Sequence, residues 1–207
     1  MAVEPIAATG GSQAPDTLRI DILFLDLTSC ARCLAADRSL EPAIDAVRDV
    51  LRASGVDVEV NKVLVESAEQ ALALRFVSSP TIRVDGRDVA LELRESSCGS
   101  EACADGCSDQ IACRVWLHRG QEYTEPPVAL IVEAILAHVY GGTRSGVASA
   151  ASAGAYELPQ NLARFFSGRA AAEQSACCTP SEQRSCCAEA AKEECCVVST
   201  AGGCGCR

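Results

Sequence analysis

The apolar run Leu18 to Leu27 (LRIDILFLDL) breaks at Thr28-Ser29 and leads at once into Cys30-Ala31-Arg32-Cys33. Such a run reads as a buried strand of a mixed or parallel sheet. The segment after it has the helical period. Leu40, Ile44, Val47 and Leu51 recur at spacings of four, three and four, while Asp37, Arg38, Asp45, Arg48 and Arg52 fall mainly on the other face. Pro42 is expected to kink this helix and Gly55 to end it. A Cys-x-x-Cys pair is therefore placed between a strand and a helix, which points to an α/β fold with the two thiols at a strand-to-helix junction.

The rest of the chain continues the pattern. Val56 to Val65 alternates as a strand does, and Glu66 to Phe76 reads as a short helix. Ser79-Pro80 precedes a strand at Thr81 to Val84, which turns at Asp85-Gly86 into an extended stretch, Asp88 to Leu93. Cys113 to Leu117 is a further strand with its turn at Arg119-Gly120. Pro126-Pro127 then opens a helix from Val128 to Tyr140, with Leu130, Ile131, Ala134, Ile135 and Val139 as its stripe. Gly141 to Gly154 (GGTRSGVASAASAG) has nothing to bury and reads as a flexible linker. The expected layout is a disordered segment 1–16, a globular domain 17–140 with a cysteine-rich loop 95–113, a linker 141–155, a short amphipathic helix 156–172 and a cysteine-rich tail 173–207. The helix carries Leu158, Leu162, Phe165 and Phe166 on one side. It is expected to dock back on the domain, a partner site being the alternative.

Composition removes several functions. Of 207 residues 48% are hydrophobic and 22% charged, so a real core exists. With 28 acidic against 18 basic side chains, the net charge of −10 repels phosphate backbones and makes nucleic acid an unexpected partner. The longest apolar runs are too short for membrane insertion. Met1 to Asp16 has neither a basic start nor an apolar h-region, so a cytoplasmic location is expected. In that compartment thiols stay reduced. The 14 cysteines then read as metal ligands or redox groups before they read as a disulfide scaffold.

The order strand, Cys-x-x-Cys, helix, strand, helix, x-Pro, hairpin, helix over residues 17–140, with Pro80 coming 47 residues after Cys33, resembles the thioredoxin superfamily. The resemblance implies a thioredoxin-like central mixed sheet flanked by helices. More narrowly, the chain is similar to cysteine-rich bacterial thioredoxin-like proteins that continue into a Cys-Cys-bearing tail. By this resemblance Cys33 matches the buried resolving thiol, Pro80 the cis-proline facing the pair, and Ser79 the position whose backbone meets bound peptide or thiol. Thr28-Ser29 stands where many thioredoxins carry Trp, and Asp21 and Asp26 are the candidates for their buried acid. From the residues themselves, Cys30 at a helix start with Arg32 as a nearby cation is expected to have a lowered pKa and to be the nucleophile. Redox exchange, metal or metalloid binding, and an inert structural pair all remain open for Cys30 and Cys33.

The other cysteines form two groups. Cys98, Cys103, Cys107 and Cys113 could hold a structural zinc ion, although their spacing is not that of zinc ribbons; two local disulfides or a redox pair exchanging with Cys30 and Cys33 are the alternatives. If Asp88 to Leu93 runs back along the strand opened by Pro80, this loop emerges at the Cys30 end of the sheet. In the tail, Cys177-Cys178, Cys186-Cys187, Cys195-Cys196 and Cys204-Gly205-Cys206 start nine residues apart. Vicinal disulfides are strained, so the repeat reads as a set of thiolate clamps for soft metal or metalloid ions such as Cu(I), Zn²⁺, Cd²⁺, Hg²⁺ or trivalent arsenic. A low-complexity tail of no function is the bland alternative. His118 and His138 are expected to be satisfied or exposed rather than ligands.

Three functions follow. The first is a thioredoxin-like protein that binds or transfers soft ions, with arsenic or mercury resistance suggested by the tail's resemblance to those of resistance proteins. The second is a thiol-disulfide oxidoreductase whose tail cysteines act as resolving thiols. The third is a redox- or metal-sensing adaptor. A thiol reductant or a metal-handling protein is the expected macromolecular partner.

Overall fold

The central strand β1 (Asp16–Phe24) runs parallel to β2 (Val56–Leu64), with Ile20 opposite Val60, and antiparallel to β3 (Thr81–Val84), with Ile22 opposite Ile82. The parallel pair needs a crossover, which α1 (Ala31–Ala53) supplies. A two-residue strand, β4 (Arg87–Asp88), completes a sheet of order β2-β1-β3-β4. This computed structural model describes residues 16–27, 30–90, 92–97, 112–141 and 156–175, without the side chains of 171–175. The expectations for segment 1–15, for Cys98, Cys103 and Cys107, for the linker and for all eight tail cysteines lie outside the described residues.

β1 is apolar because its second half is covered on both faces. Leu18, Ile20, Ile22 and Phe24 pack with Leu40, Val47 and Leu51 of α1 and with Ile131 and Ile135 of α3 (Val128–Tyr140). Leu23 and Leu25 turn the other way, onto Val65, Phe76, Ala71 of α2 (Ala68–Ala73), and Leu162 and Phe166 of α4 (Gln160–Ser175). Arg19 and Asp21 share that second face farther along, where it is open enough to tolerate charge. The fold is thus α/β, a mixed sheet flanked by helices, and the amphipathic helix docks on the domain as one wall of a second core.

A smaller antiparallel sheet of order β5-β6-β7 follows, built from β5 (Arg94–Ser97), β6 (Ala112–His118) and β7 (Gln121–Tyr123). It touches the first sheet where the Arg114 N–H donates to the Ser79 carbonyl at 2.8 Å. Both predicted hairpin turns are present: Asp85 and Gly86, then Arg119 and Gly120, have φ between 46° and 79°. Two adjacent positive values are what a two-residue primed turn requires.

Several element boundaries differ from expectation, three of them beside the dithiol or the second sheet. β1 stops at Phe24 rather than Leu27, because the Leu25 N–H leaves the ladder and donates to Ser79 Oγ at 3.1 Å. The extended stretch at Asp88 pairs for two residues and no more; the Asp88 carboxylate accepts the Ala90 N–H at 2.9 Å and turns the chain away. α1 starts at Ala31, with Cys30 as its N-cap, and continues past Pro42, which lies on its exposed side.

Candidate dithiol site

Cys30 has the extended backbone of an N-cap (φ −76°, ψ 106°), and its Sγ accepts the Cys33 N–H at 3.4 Å. A sulfur here occupies the place where a helix's first N–H groups lack partners and where its macrodipole is positive. Both residues carry thiols, with Cys30 3% and Cys33 0% exposed. From the other side, Ser79 Oγ lies 3.3 Å from Cys33 Sγ. The Ser79-Pro80 peptide is cis, and both residues are buried where β3 begins. The three residues singled out in the sequence as catalytic, Cys30, Cys33 and Pro80, therefore lie in the segments that meet at one end of the central sheet.

The two thiols are unequal. The hydrogen bond with Cys30, then burial, then the Cys30 charge push the Cys33 thiol far above the ordinary thiol range. Hydrogen bonds from the Ser79 hydroxyl and the Asp26 backbone pull it the other way without overcoming that rise. Cys33 is thus held in its protonated form.

Arg32 has a set of partners that its sequence position does not suggest. Its guanidinium reaches β5 and β6, donating to the carbonyls of Ser96 (3.3 Å), Ser97 (2.8 Å), Cys113 (3.1 Å) and Arg114 (3.4 Å) and to Ser96 Oγ (2.9 Å). Arginine's planar fork suits such a set of acceptors, which a chain neighbour could not offer. These carbonyls flank residues 98–111, so both roots of the cysteine-rich segment are tied to α1 through Arg32. Cys113 itself lies in β6, 2% exposed and in the same core as Cys30 and Cys33. Its three intended zinc partners fall outside the described residues. Among the described residues, no three His, Cys, Asp or Glu side chains converge as a metal-ligand group.

Arg114 escaped the sequence reading. It is 1% exposed, bound to Asp88 (2.7 Å), Thr81 Oγ1 (3.0 Å) and the Ala90 carbonyl (3.2 Å), and stacked 4.9 Å from the Trp116 ring centre. An arginine between Cys113 and Val115-Trp116 was the signal: a charge within an otherwise apolar strand needs a built partner set. His138 and His118 bond to Asp85 (2.8 Å) and Glu133 (3.1 Å), which accounts for both without a ligand role.

Fold and site together define an α/β protein with a buried, unequal dithiol at the start of its first helix. Residues 18–135 match the family described as a domain of unknown function (DUF2703), and the chain belongs to that family. The matched stretch runs from β1 into α3 and contains Cys30, Cys33 and Pro80; α4 lies beyond it. No curated protein and no solved structure matches the chain significantly. No helix among the described residues is long and apolar enough to cross a membrane.

Proposed function

We propose that the protein is a thioredoxin-like thiol-exchange protein, in which Cys30 attacks a sulfur-bound partner and Cys33 resolves the adduct. The observation that carries this reading is the inequality of the two sulfurs. Cys30 caps a helix and accepts an N–H, whereas Cys33 is fully buried and retains its proton. Only a thiolate attacks, so the first step falls to Cys30. With a disulfide R–S–S–R′, a bond forms from Cys30 Sγ to one sulfur, the S–S bond breaks, and R′S⁻ leaves and is protonated by water. Cys33 then gives up its proton and attacks Cys30 Sγ, the departing RS⁻ takes up that proton as RSH, and the pair ends as a disulfide, two electrons having passed to the substrate. The mixed sheet, the strand-to-helix dithiol and the x-Pro before β3 support the thioredoxin-like assignment.

A second reading is favoured by the nine-residue repeat of the tail. Cys177, Cys178, Cys186, Cys187, Cys195, Cys196, Cys204 and Cys206 would carry a soft metal or metalloid ion of the arsenic, mercury, zinc or copper class as cargo, with the dithiol as exchange partner. Zinc on Cys98, Cys103, Cys107 and Cys113 belongs to this reading.

The test of the first reading exposes the reduced full-length chain to glutathione disulfide. Wild type closes a Cys30–Cys33 disulfide, Cys33→Ser accumulates glutathione on Cys30, and Cys30→Ser does neither. Absence of any reaction at Cys30 sinks the reading. For the second, anaerobic native mass spectrometry with arsenite, Hg²⁺, Zn²⁺ or Cu(I) compares wild type with a chain whose eight tail cysteines are serine. Equal ion uptake by both chains refutes tail capture. Serine replacement is preferable to truncation at Ala155, which would remove α4 and uncover the core around the fully buried Leu162.

A further inference from the structure

Ser79 is 2% exposed and is held from two sides at once: its carbonyl accepts the Arg114 N–H of β6 at 2.8 Å, and its Oγ accepts the Leu25 N–H just past β1 at 3.1 Å. An amide N–H can only donate. Ser79 Oγ is thereby fixed as an acceptor towards Leu25, and its own proton is left to point elsewhere. Cys33 Sγ lies at 3.3 Å. The backbone of Asp26, one residue beyond Leu25, also hydrogen-bonds this sulfur.

We propose that Ser79 is a positioning residue for the resolving step, its hydroxyl forming a ready-made donor cradle for the thiolate that develops on Cys33. The inference rests on the thiol-exchange reading above. While Cys33 is a thiol, either Sγ or Oγ can supply the proton of their contact. Once Cys33 ionises, only the Ser79 O–H can donate, and the bond becomes charge-assisted. The contact is therefore stronger in the transition state for ring closure than in the resting state, which is the condition for accelerating a step. Cys33 is 0% exposed, so water is not at hand to do the same work. In the balance of influences on Cys33, Ser79 and Asp26 are the two that favour its ionised form, against Cys30 and burial.

The experiment follows the reduced full-length chain with glutathione disulfide, using acid quench, alkylation and tryptic mass mapping. Cleavage after Arg19, Arg32 and Arg38 yields Ile20–Arg32, containing Cys30, and Cys33–Arg38, so the glutathione adduct and the closed disulfide differ in mass. Ser79→Ala is expected to form the Cys30 adduct within about twofold of the wild-type rate but to close the ring about tenfold or more slowly, the effect of losing a charge-assisted hydrogen bond. Ser79→Thr keeps the hydroxyl and is expected to restore closure. Wild-type closure in Ser79→Ala overturns the cradle, as does equal slowing of both steps that Ser79→Thr fails to rescue. If circular dichroism shows Ser79→Ala to be unfolded, Ser79→Val replaces it. Valine has the shape of threonine without its hydroxyl, so closure is expected to be about tenfold or more slower than in Ser79→Thr, and closure at the wild-type rate overturns the proposal. A wild-type chain that gains no glutathione at Cys30 and closes no ring overturns the exchange reading and the cradle together, which separates that failure from failure of the cradle alone.

Discussion

Asn161 holds Ala112 by both of its backbone groups: Oδ1 accepts the Ala112 N–H at 3.1 Å, and Nδ2 donates to the Ala112 carbonyl at 2.6 Å. Nδ2 also reaches Glu95 Oε1 at 3.1 Å, so one side chain ties α4 to β5 and to the first residue of β6. The helix that precedes the tail is thus fastened beside the roots of the cysteine-rich segment.

Replacing Asn161 by Ala strips the partly buried Ala112 groups of their partner. The expected cost is about 1–2 kcal/mol, the usual range for such hydrogen bonds with some solvent access. Urea denaturation measures it. An unchanged midpoint would mean that α4 is held by its apolar residues alone.

Leu162→Ala should cost more. Leu162 is fully buried between Leu23, Leu25, Val65 and Phe76, and truncating such a residue leaves a cavity as well as losing apolar burial, together about 2–5 kcal/mol. A loss below about 1 kcal/mol would show that the second core closes over the gap.

Arg32→Ala removes five hydrogen bonds to β5 and β6. The expected result is local: faster amide exchange across Arg94–Ser97 and its partner strand, with α1 and β1 still protected. Arg32→Lys should behave like the alanine variant, since an ammonium cannot span that set of acceptors. Unaltered exchange in β5 would remove Arg32 from this role.

Alkaline pH should weaken the reduced protein through Cys33. In the unfolded chain a thiol ionises near about 8.5. In the folded chain Cys33 keeps its proton well above that, because of its hydrogen bond with Cys30 and its burial. Below the unfolded value both states hold the proton and stability is at its full level. Above it the unfolded chain alone releases the proton, so stability falls by at most about 1.4 kcal/mol per pH unit, and goes on falling until the raised folded value is reached. Urea midpoints from about pH 7 to pH 10 should decline more steeply for wild type than for Cys33→Ala. Parallel curves would contradict the raised value.

The strand-to-helix setting of Cys30 and Cys33 is legible in the sequence because strand, pair and helix are contiguous and their periods change at the junction. The hairpins are legible because Asp85-Gly86 and Arg119-Gly120 declare their turns locally. Contacts between distant segments are not. Ser79 meets Cys33 across 46 residues and Leu25 across 54, so nothing beside it reveals which sulfur its hydroxyl serves. Arg32 reads as a neighbour of Cys30 because it is adjacent in the chain, yet its acceptors lie 64 to 82 residues away. The helix that covers the second face of β1 announces its docking through Leu162 and Phe166, but which face of the sheet it meets is again a contact between distant segments.

Cys30 shows 3% of its surface to solvent. A nucleophile shuttered to that degree reacts in proportion to the population of opened molecules rather than to every collision. Peroxide and stray oxidants meet the same shutter as substrates do, and a thiol seldom presented to them is slow to climb from sulfenic to the irreversible sulfonic acid. On the thiol-exchange reading, the burial that limits turnover would then also preserve the dithiol between turnovers.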